Sequence, residues 1–446
     1  MYDLAVIGAG PAGYNAALHA SDLGLKTALI EANEIGGVCL NKGCIPTKSL
    51  LKSAQVYSLA QGGEIFEVCF DNVSIDCEKM YQRKDKVIEK LKKGIEYLIK
   101  KSTLDLILGQ AEFVDEHTLK VNDTIIKAEN ILIACGSRPS KLRIKGEEYA
   151  IDSDDVLAQP IDEKEILIIG GGVIGIEFAS LFSMLGKNVT ILEYENGILP
   201  QSDLDAVNAL TMSLKKRGVK IFTNSKVCEI IKDEKYKVLA TVKGEDKEFI
   251  AEKVITCTGR TPNITALKLD NAKVKHAQSI IVDDNCKTNI PNIYSVGDVS
   301  AKIKLAHFAE AQAICTVDYI ASKTPSIDLR TVPSVVYSSP EIASVGTLWQ
   351  AESKLHFCKV FMNSNGKASI EDSTSGFVKI VFNEDKVIVG AVIVNSRASE
   401  LIGEMCLAIT NKLTLDDIIK TIHPHPTLSE AVRLCAIEGK KLVMEA

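Results

Sequence analysis

The chain has 446 residues, 46% hydrophobic and 25% charged, with a formal net charge of −6. This is ordinary globular composition. It excludes a disordered, collagen-like or coiled-coil chain and, at about 150 residues per domain, suggests roughly three domains. The acidic balance argues against nucleic-acid binding, and no apolar run approaches the roughly 18 residues that span a bilayer, so no nucleic acid and no membrane is expected as a partner.

The sequence opens Met1-Tyr2-Asp3 and runs into an apolar strand, with no basic leader or small-residue cleavage site. Its twelve cysteines are scattered. Both features lead to the expectation of a cytoplasmic protein whose cysteines, Cys69, Cys77 and Cys228 among them, are mostly reduced and buried.

A repeat organises the first half. Leu4-Ala-Val-Ile-Gly8-Ala-Gly10-Pro-Ala-Gly13 leads through an amphipathic stretch to a strand ending at Glu31, and Ile166-Leu-Ile-Ile-Gly170-Gly-Gly172-Val-Ile-Gly175 leads likewise to Glu193. First glycine and glutamate are 23 residues apart in both (31 − 8 and 193 − 170). In such a unit the first glycine makes a tight turn, the second lets backbone approach a pyrophosphate, and the third lets helix pack on strand. Free amides at the helix start face the phosphates, and the glutamate receives ribose hydroxyls. Two units imply two dinucleotides. Cysteines lie just beyond the first, which makes FAD its natural occupant, and the second would hold a nicotinamide cofactor. Glu193 is followed by Tyr194 and Glu195, with no Lys or Arg before Lys215; a 2′-phosphate would be repelled there, so NAD is expected over NADP.

Immediately after the first unit comes Gly36-Gly37-Val-Cys39-Leu-Asn-Lys-Gly43-Cys44-Ile-Pro-Thr-Lys48. On a regular helix, residues five apart lie roughly 8 Å apart at Cα, beyond the disulfide span. A bridge would need an irregular turn, and Gly43 supplies that freedom. Metal binding lacks further ligands at suitable spacing, and two buried structural cysteines are the bland alternative. Residues 78–101 carry Val87, Leu91, Ile95 and Leu98 at helical spacing among lysines, the pattern of a solvated amphipathic helix. Strands ending at Gly136 and Gly259 read as crossovers between nucleotide domains, and a third, before Gly297-Asp298, sets a carboxylate where it could bond a polyhydroxylated chain. From about Thr331 the pattern changes to strands (332–337, 376–382, 386–395) followed by helices, a separate α+β domain. Near the end, His423-Pro-His425-Pro-Thr-Leu-Ser-Glu430 offers a proton acceptor suited to neutral pH in His425. Glu430 could orient that ring, or complete a capping box with Thr427.

The run from Gly36 to Lys48 resembles the redox-active disulfide motif of the flavin-dependent pyridine-nucleotide disulfide oxidoreductases. The run from His423 to Glu430 resembles their dihydrolipoyl-oxidising members. The similarity spans essentially the whole chain, including Gly259-Arg260, Gly297-Asp298, Leu305-Ala306-His307 and Tyr337-Ser-Ser-Pro340-Glu341. It implies an α/β fold with two Rossmann-like dinucleotide-binding domains, FAD-binding (1–145 and 265–325) and NAD-binding (146–264), plus a C-terminal α+β dimerisation domain (331–446).

The same resemblance implies that Cys39 and Cys44 form the redox disulfide, with Cys39 meeting substrate and Cys44 beside the flavin. Lys48 would lie near the flavin and pair with Glu177. Gly8, Gly10, Gly13, Glu31, Gly37, Ala111, Gly136, Asp298 and Ala306 would contact FAD, and a helix beginning after Leu305 would turn its positive end to the flavin. Gly170, Gly172, Gly175, Glu193, Val227 and Gly259 would contact NAD. His425, oriented by Glu430, would reach the disulfide of the other subunit of a homodimer. The implied activity is oxidation of dihydrolipoamide, free or on a lipoyl-carrying protein of a 2-oxoacid dehydrogenase, acetoin or glycine-cleavage complex. Other readings are a reductase of another disulfide such as glutathione, and a non-catalytic flavin-containing scaffold. A mercuric-ion reductase would need a cysteine beside Cys435, and none adjoins it in sequence. Lys42 and Phe308 depart from residues common in the family.

Overall fold

Short, continuously apolar segments become the central strands. The computed structural model describes residues 1–325, 327–351 and 354–445. In it β1 (Tyr2–Ile7), α1 (Pro11–Asp22) and β2 (Thr27–Glu31) form the first strand–helix–strand unit. Every residue of β2 is buried, as in parallel strands covered on both faces. Then follow α2 (Gly37–Lys42), α3 (Cys44–Gln61), α4 (Cys77–Lys101) and β3 (Asp105–Leu108), which extends the sheet beside β2. β4 (Ala111–Asp115), β5 (Thr118–Val121) and β6 (Thr124–Ile133) form an antiparallel meander, and β6 also runs parallel to β1.

After β7 (Ser137–Pro139) and α5 (Ser153–Ala158) the unit recurs as β8 (Glu165–Ile169), α6 (Val173–Met184) and β9 (Asn188–Leu192), followed by α7 (Leu204–Lys216) and β10 (Lys220–Phe222). An antiparallel sheet of β11 (Ser225–Lys232), β12 (Tyr236–Val242) and β13 (Glu245–Ala251) intervenes before β14 (Lys253–Thr256) completes the parallel order β10-β9-β8-β14. β15 (Arg260–Pro262) pairs antiparallel with β7, so the turns at Gly136 and Gly259 open onto one two-stranded crossover ribbon. β16 (Ile293–Ser295) returns beside β6, and α8 (Ala306–Ile320) packs on α1 through His19 Nε2 and Asp318 Oδ1, 2.7 Å apart.

The C-terminal part is an antiparallel sheet of β17 (Ser334–Val336), β18 (Glu341–Gly346), β19 (His356–Phe361), β20 (Phe377–Phe382) and β21 (Ile388–Asn395), ordered β17-β18-β21-β20-β19. Its helices are α9 (Gly366–Ile370), α10 (Ala398–Thr410), α11 (Leu415–Lys420) and α12 (Glu430–Glu445). Lys379, only 3% exposed, anchors this sheet to the second unit by binding both oxygens of Asp203, at 3.0 and 2.8 Å, and Asp205 at 2.6 Å.

The expected α/β class is observed. The expected solvated amphipathic helix is α4, which leaves Leu91 and Leu98 exposed and buries Met80, Tyr81, Lys84 and Ile99. Tyr81 Oη and Lys84 Nζ donate to the carbonyls of Val156 and Leu157, so α4 is seated on α5 by its N-terminal third. Two points need correction. β18 and β19 are strands that the sequence reading does not include. Cys69 and Cys228 are exposed rather than buried. Among the described residues no helix is long and apolar enough to cross a membrane.

Candidate active site

Both units set their glutamates in the same frame. Glu31 Oε2 accepts the Ala9 amide at 2.6 Å and Oε1 the Asn33 amide at 2.7 Å. Glu193 Oε2 accepts the Gly171 amide and Oε1 the Glu195 amide at 2.7 Å. Each carboxylate oxygen keeps a lone pair for a ligand hydroxyl. A Cβ on Gly13 would collide with the Gly8 carbonyl oxygen, and one on Gly175 with that of Gly170; only glycine lets each helix sit this close to its strand. α1 and α6 begin at Gly10 and Gly172 without a side-chain cap, so their first amides remain free for an anion.

These features face one cavity of about 2410 Å³. Its wall includes Gly8, Gly10, Glu31, Gly37, Ala111, Gly136, Asp298 and Ala306 from the first set, and Gly170, Gly172, Glu193, Val227 and Gly259 from the second. Gly13 and Gly175 stand behind it. α8 starts at Ala306, as expected, again without a side-chain cap. Asn41 Oδ1 and Asp154 Oδ1 are buried on this wall with no hydrogen-bond partner. Orphaned acceptors, uncapped helix starts and ribose-type carboxylates together fit two bound dinucleotides. Burial, then the charge of Asp152, raises the Asp154 carboxyl above the usual carboxylate range.

Cys39 and Cys44 form a disulfide in the same wall, with Cα atoms 4.7 Å apart. The irregularity it needs is the break between α2 and α3 at Gly43, where a Cβ would stand 2.9 Å from the Val38 carbonyl oxygen. Cys44 is the first residue of α3, an 18-residue helix. On reduction, that helix end favours a thiolate at Cys44. Cys135 lines the same cavity, but burial pushes its thiol up to about 12, so it stays protonated and unreactive at neutral pH.

One turn along α3, Lys48 Nζ binds both Glu177 oxygens at 2.9 and 2.8 Å. Glu177, 4% exposed, also accepts the Tyr337 amide at 3.1 Å, and the Tyr337 ring lies 4.4 Å from Lys48 Nζ. Asp298 Oδ2 accepts the Ser137 hydroxyl at 2.5 Å, and Arg260 Nε donates to that hydroxyl at 2.8 Å.

His425 and Glu430 are not on this wall. The His425 side chain is 79% exposed. Its Nδ1 lies 3.0 Å from Glu430 Oε1, while Glu430 Oε2 accepts the Thr427 amide at 2.9 Å, so one carboxylate both orients the ring and caps the start of α12. The Thr427 amide, then the His425 ring, hold the Glu430 carboxyl below its ordinary range.

Sequence reasoning did not single out Tyr337, Ser137, Asn41, Asp154 or Lys226 for the site. Lys226 lines the same cavity from the start of β11, where the Ser225 amide donates to the Glu193 carbonyl at 2.8 Å. The neighbour lacking for Cys435 also exists: Cys358 Sγ lies 3.3 Å away, but both thiols are buried in the C-terminal core.

Residues 2–313 match the family model of the pyridine nucleotide-disulphide oxidoreductases, and residues 332–436 match that family's dimerisation domain. The chain belongs to this family, whose members use FAD and NAD. It is 36% identical to a dihydrolipoyl dehydrogenase of Mycoplasma genitalium, covering 97% of each chain. It is 38% identical to one of Chlamydia pneumoniae, covering 96% of this chain and 95% of the relative. It is 37% identical to one of Bacillus subtilis, over 99% of each. Among solved structures it resembles the HOCl-induced flavoprotein disulfide reductase RclA of Escherichia coli, with a TM-score of 0.87 and 26% identity over 98% of this chain and 99% of that one.

Proposed function

We propose that this protein is a dihydrolipoyl dehydrogenase acting as a homodimer. The observation that carries the reading is the Cys39–Cys44 bridge, set across a helix break in the wall of a cavity shared by both glycine units. FAD, when bound, supplies the two-electron relay between this couple and NAD. The division into FAD-binding (1–145 and 265–325), NAD-binding (146–264) and dimerisation (331–446) domains belongs to the same proposal.

The chain's own groups do the thiol chemistry. His425 of one protomer accepts a proton from a dihydrolipoyl thiol at the disulfide of the other, through the ring nitrogen that Glu430 leaves free. The substrate thiolate attacks Cys39 Sγ, the S–S bond breaks, and Cys44 leaves as a thiolate at the start of α3. The second substrate thiol then displaces Cys39, closing the lipoyl ring and leaving the couple reduced by two electrons. Lys48, held by Glu177, supplies positive charge on the flavin side. Gly8, Gly10, Glu31, Gly37, Ala111, Gly136, Asp298 and Ala306 hold FAD, with Gly13 keeping α1 close. Gly170, Gly172, Glu193, Val227 and Gly259 hold NAD, with Gly175 serving the same end in α6. The substrate is free dihydrolipoamide or a lipoyl group on a 2-oxoacid dehydrogenase, acetoin or glycine-cleavage carrier.

Steady-state assay of the FAD-loaded protein with dihydrolipoamide and NAD tests this. NADH formation well above that with NADP, and little reduction of glutathione disulfide by NADPH, are expected. A loaded protein without dihydrolipoamide turnover would overturn the assignment.

A further inference from the structure

Tyr337 touches both members of the Lys48–Glu177 pair. Its amide donates to Glu177 Oε1 at 3.1 Å, and its ring lies 4.4 Å from Lys48 Nζ. Lys48 comes from α3, Glu177 from α6 and Tyr337 from the strand end after β17, so the contact joins all three parts of the fold. The turn behind Tyr337 is fixed from α7: Ser213 Oγ donates to the Ser339 carbonyl at 2.9 Å, and Arg217 Nη2 to the Ser339 hydroxyl at 2.7 Å.

The chemistry of the pair explains why a third contact matters. A lysine ammonium is a point charge on a flexible four-carbon stem, with three rotatable donors. The carboxylate of Glu177 fixes one side of it. An aromatic face attracts a cation electrostatically without taking a proton from it or neutralising it. The ring therefore confines the ammonium without cancelling its charge, which a second carboxylate would do. Lys48 remains 31% exposed on its side chain, so without this support the charge could swing into solvent.

We propose that Tyr337 is a positioning residue that holds the Lys48 charge toward the flavin side of the cavity and so raises the two-electron potential of the bound cofactor. This rests on the reading that FAD fills the cavity beside Lys48. The ring face carries the effect; the hydroxyl does not.

The test replaces Tyr337 by Phe, by Leu, and by phenylalanines carrying increasing ring fluorine, which weakens the quadrupole at nearly constant shape. Two readouts are taken on the full-length protein: the rate of amine labelling at Lys48 in FAD-free protein, and the flavin midpoint potential after loading. Tyr337→Phe should match wild type in both. Tyr337→Leu should label Lys48 several-fold faster and shift the redox equilibrium about three- to tenfold toward oxidised flavin, roughly 14–30 mV at 29.6 mV per tenfold for two electrons. The fluorinated series should move the same way in steps, and it decides the matter if the Leu variant fails to fold. Unchanged labelling across the series overturns the positioning role. A potential that stays flat while labelling changes overturns the effect on redox poise. A Phe variant as altered as the Leu variant overturns the ring-face assignment. Wild-type protein that binds no FAD would instead sink the functional reading, and labelling would still decide whether Tyr337 positions Lys48.

Discussion

Two regions carry the predicted chemistry, and they differ in completeness. The cavity is assembled within one chain: Glu31, Glu177 and Glu193 are 8%, 4% and 7% exposed, and the disulfide lies in the same wall. The tip that holds His425 is finished locally, with its Glu430 hydrogen bond made, yet its side chain is 79% exposed and faces none of the cavity. Cofactor sites are built by the covalent order of strand, glycine turn and helix, which one chain supplies alone. The proton acceptor we propose, His425, lies in the stretch that matches a dimerisation domain. On that proposal, electron transfer belongs to the protomer and proton transfer to the pair.

That contrast can be broken most severely at the tip. His425→Gln should lower kcat for dihydrolipoamide by about 10²- to 10⁴-fold, the range of general acid–base catalysis, while FAD content and reduction by NADH stay near wild type. Co-expression with Cys44→Ser, itself inactive, should restore about a quarter of wild-type activity, because half the twofold dimers would be mixed and each would hold one intact site. Steady-state assays of the single and mixed preparations measure both; activity no higher in the mixture would place His425 and the disulfide in one chain.

Within the cavity, the two glycine units should separate. Gly13→Ala forces a Cβ into the Gly8 carbonyl and should yield protein without flavin. Gly175→Ala meets the Gly170 carbonyl in the same way but should keep its flavin and lose NAD affinity by tenfold or more, on the order of 1.4 kcal/mol. Flavin absorbance and NADH titration separate the outcomes, and loss of flavin in both would end the division of labour. A milder change, Glu193→Gln, should narrow the preference for NAD over NADP severalfold, because it removes the carboxylate that would repel a 2′-phosphate. Comparison of kcat/KM for the two cofactors reads it.

The smallest effect concerns the cap at Glu430. Its folded-state pKa is depressed, by the Thr427 amide first and His425 second, so its contribution to stability is present above the unfolded value of about 4.3 and is lost as pH falls through the folded value. The Tm of Glu430→Gln should therefore lie below wild type by a steady margin from neutral pH down to about 4.3, and the gap should close at lower pH. A gap that closed on going alkaline would contradict the assignment.

What the sequence revealed was what lies within a few tens of residues. The glycine units, the cysteine run and the His425–Glu430 pair are each local, so they stand out in the sequence, and the resemblance to the family supplied the pairing of the cysteines and the role of the histidine. The contacts that join the parts were not readable: Lys379 and Asp203 are separated by 176 residues, and Tyr337 and Glu177 by 160. β18 and β19 were missed because Glu341–Gly346 mixes small and polar residues and His356–Phe361 sets His356 and Lys359 among its apolar residues, and the sheet rather than local preference makes them strands. Lys226 was likewise beyond a local reading: the path of β11 brings it to the cavity that Glu193 also lines.

The most direct test is anaerobic addition of dihydrolipoamide, near one equivalent per protomer, to the FAD-loaded protein, with absorbance and thiol content followed together. Two new protein thiols should appear with a long-wavelength absorbance band. Cys44→Ser should lack that band although its flavin is bound, and Cys39→Ser should retain a thiolate–flavin contact. Dihydrolipoamide that leaves both thiol count and spectrum unchanged, or a Cys44→Ser protein with the wild-type band, would contradict a two-electron couple at positions 39 and 44.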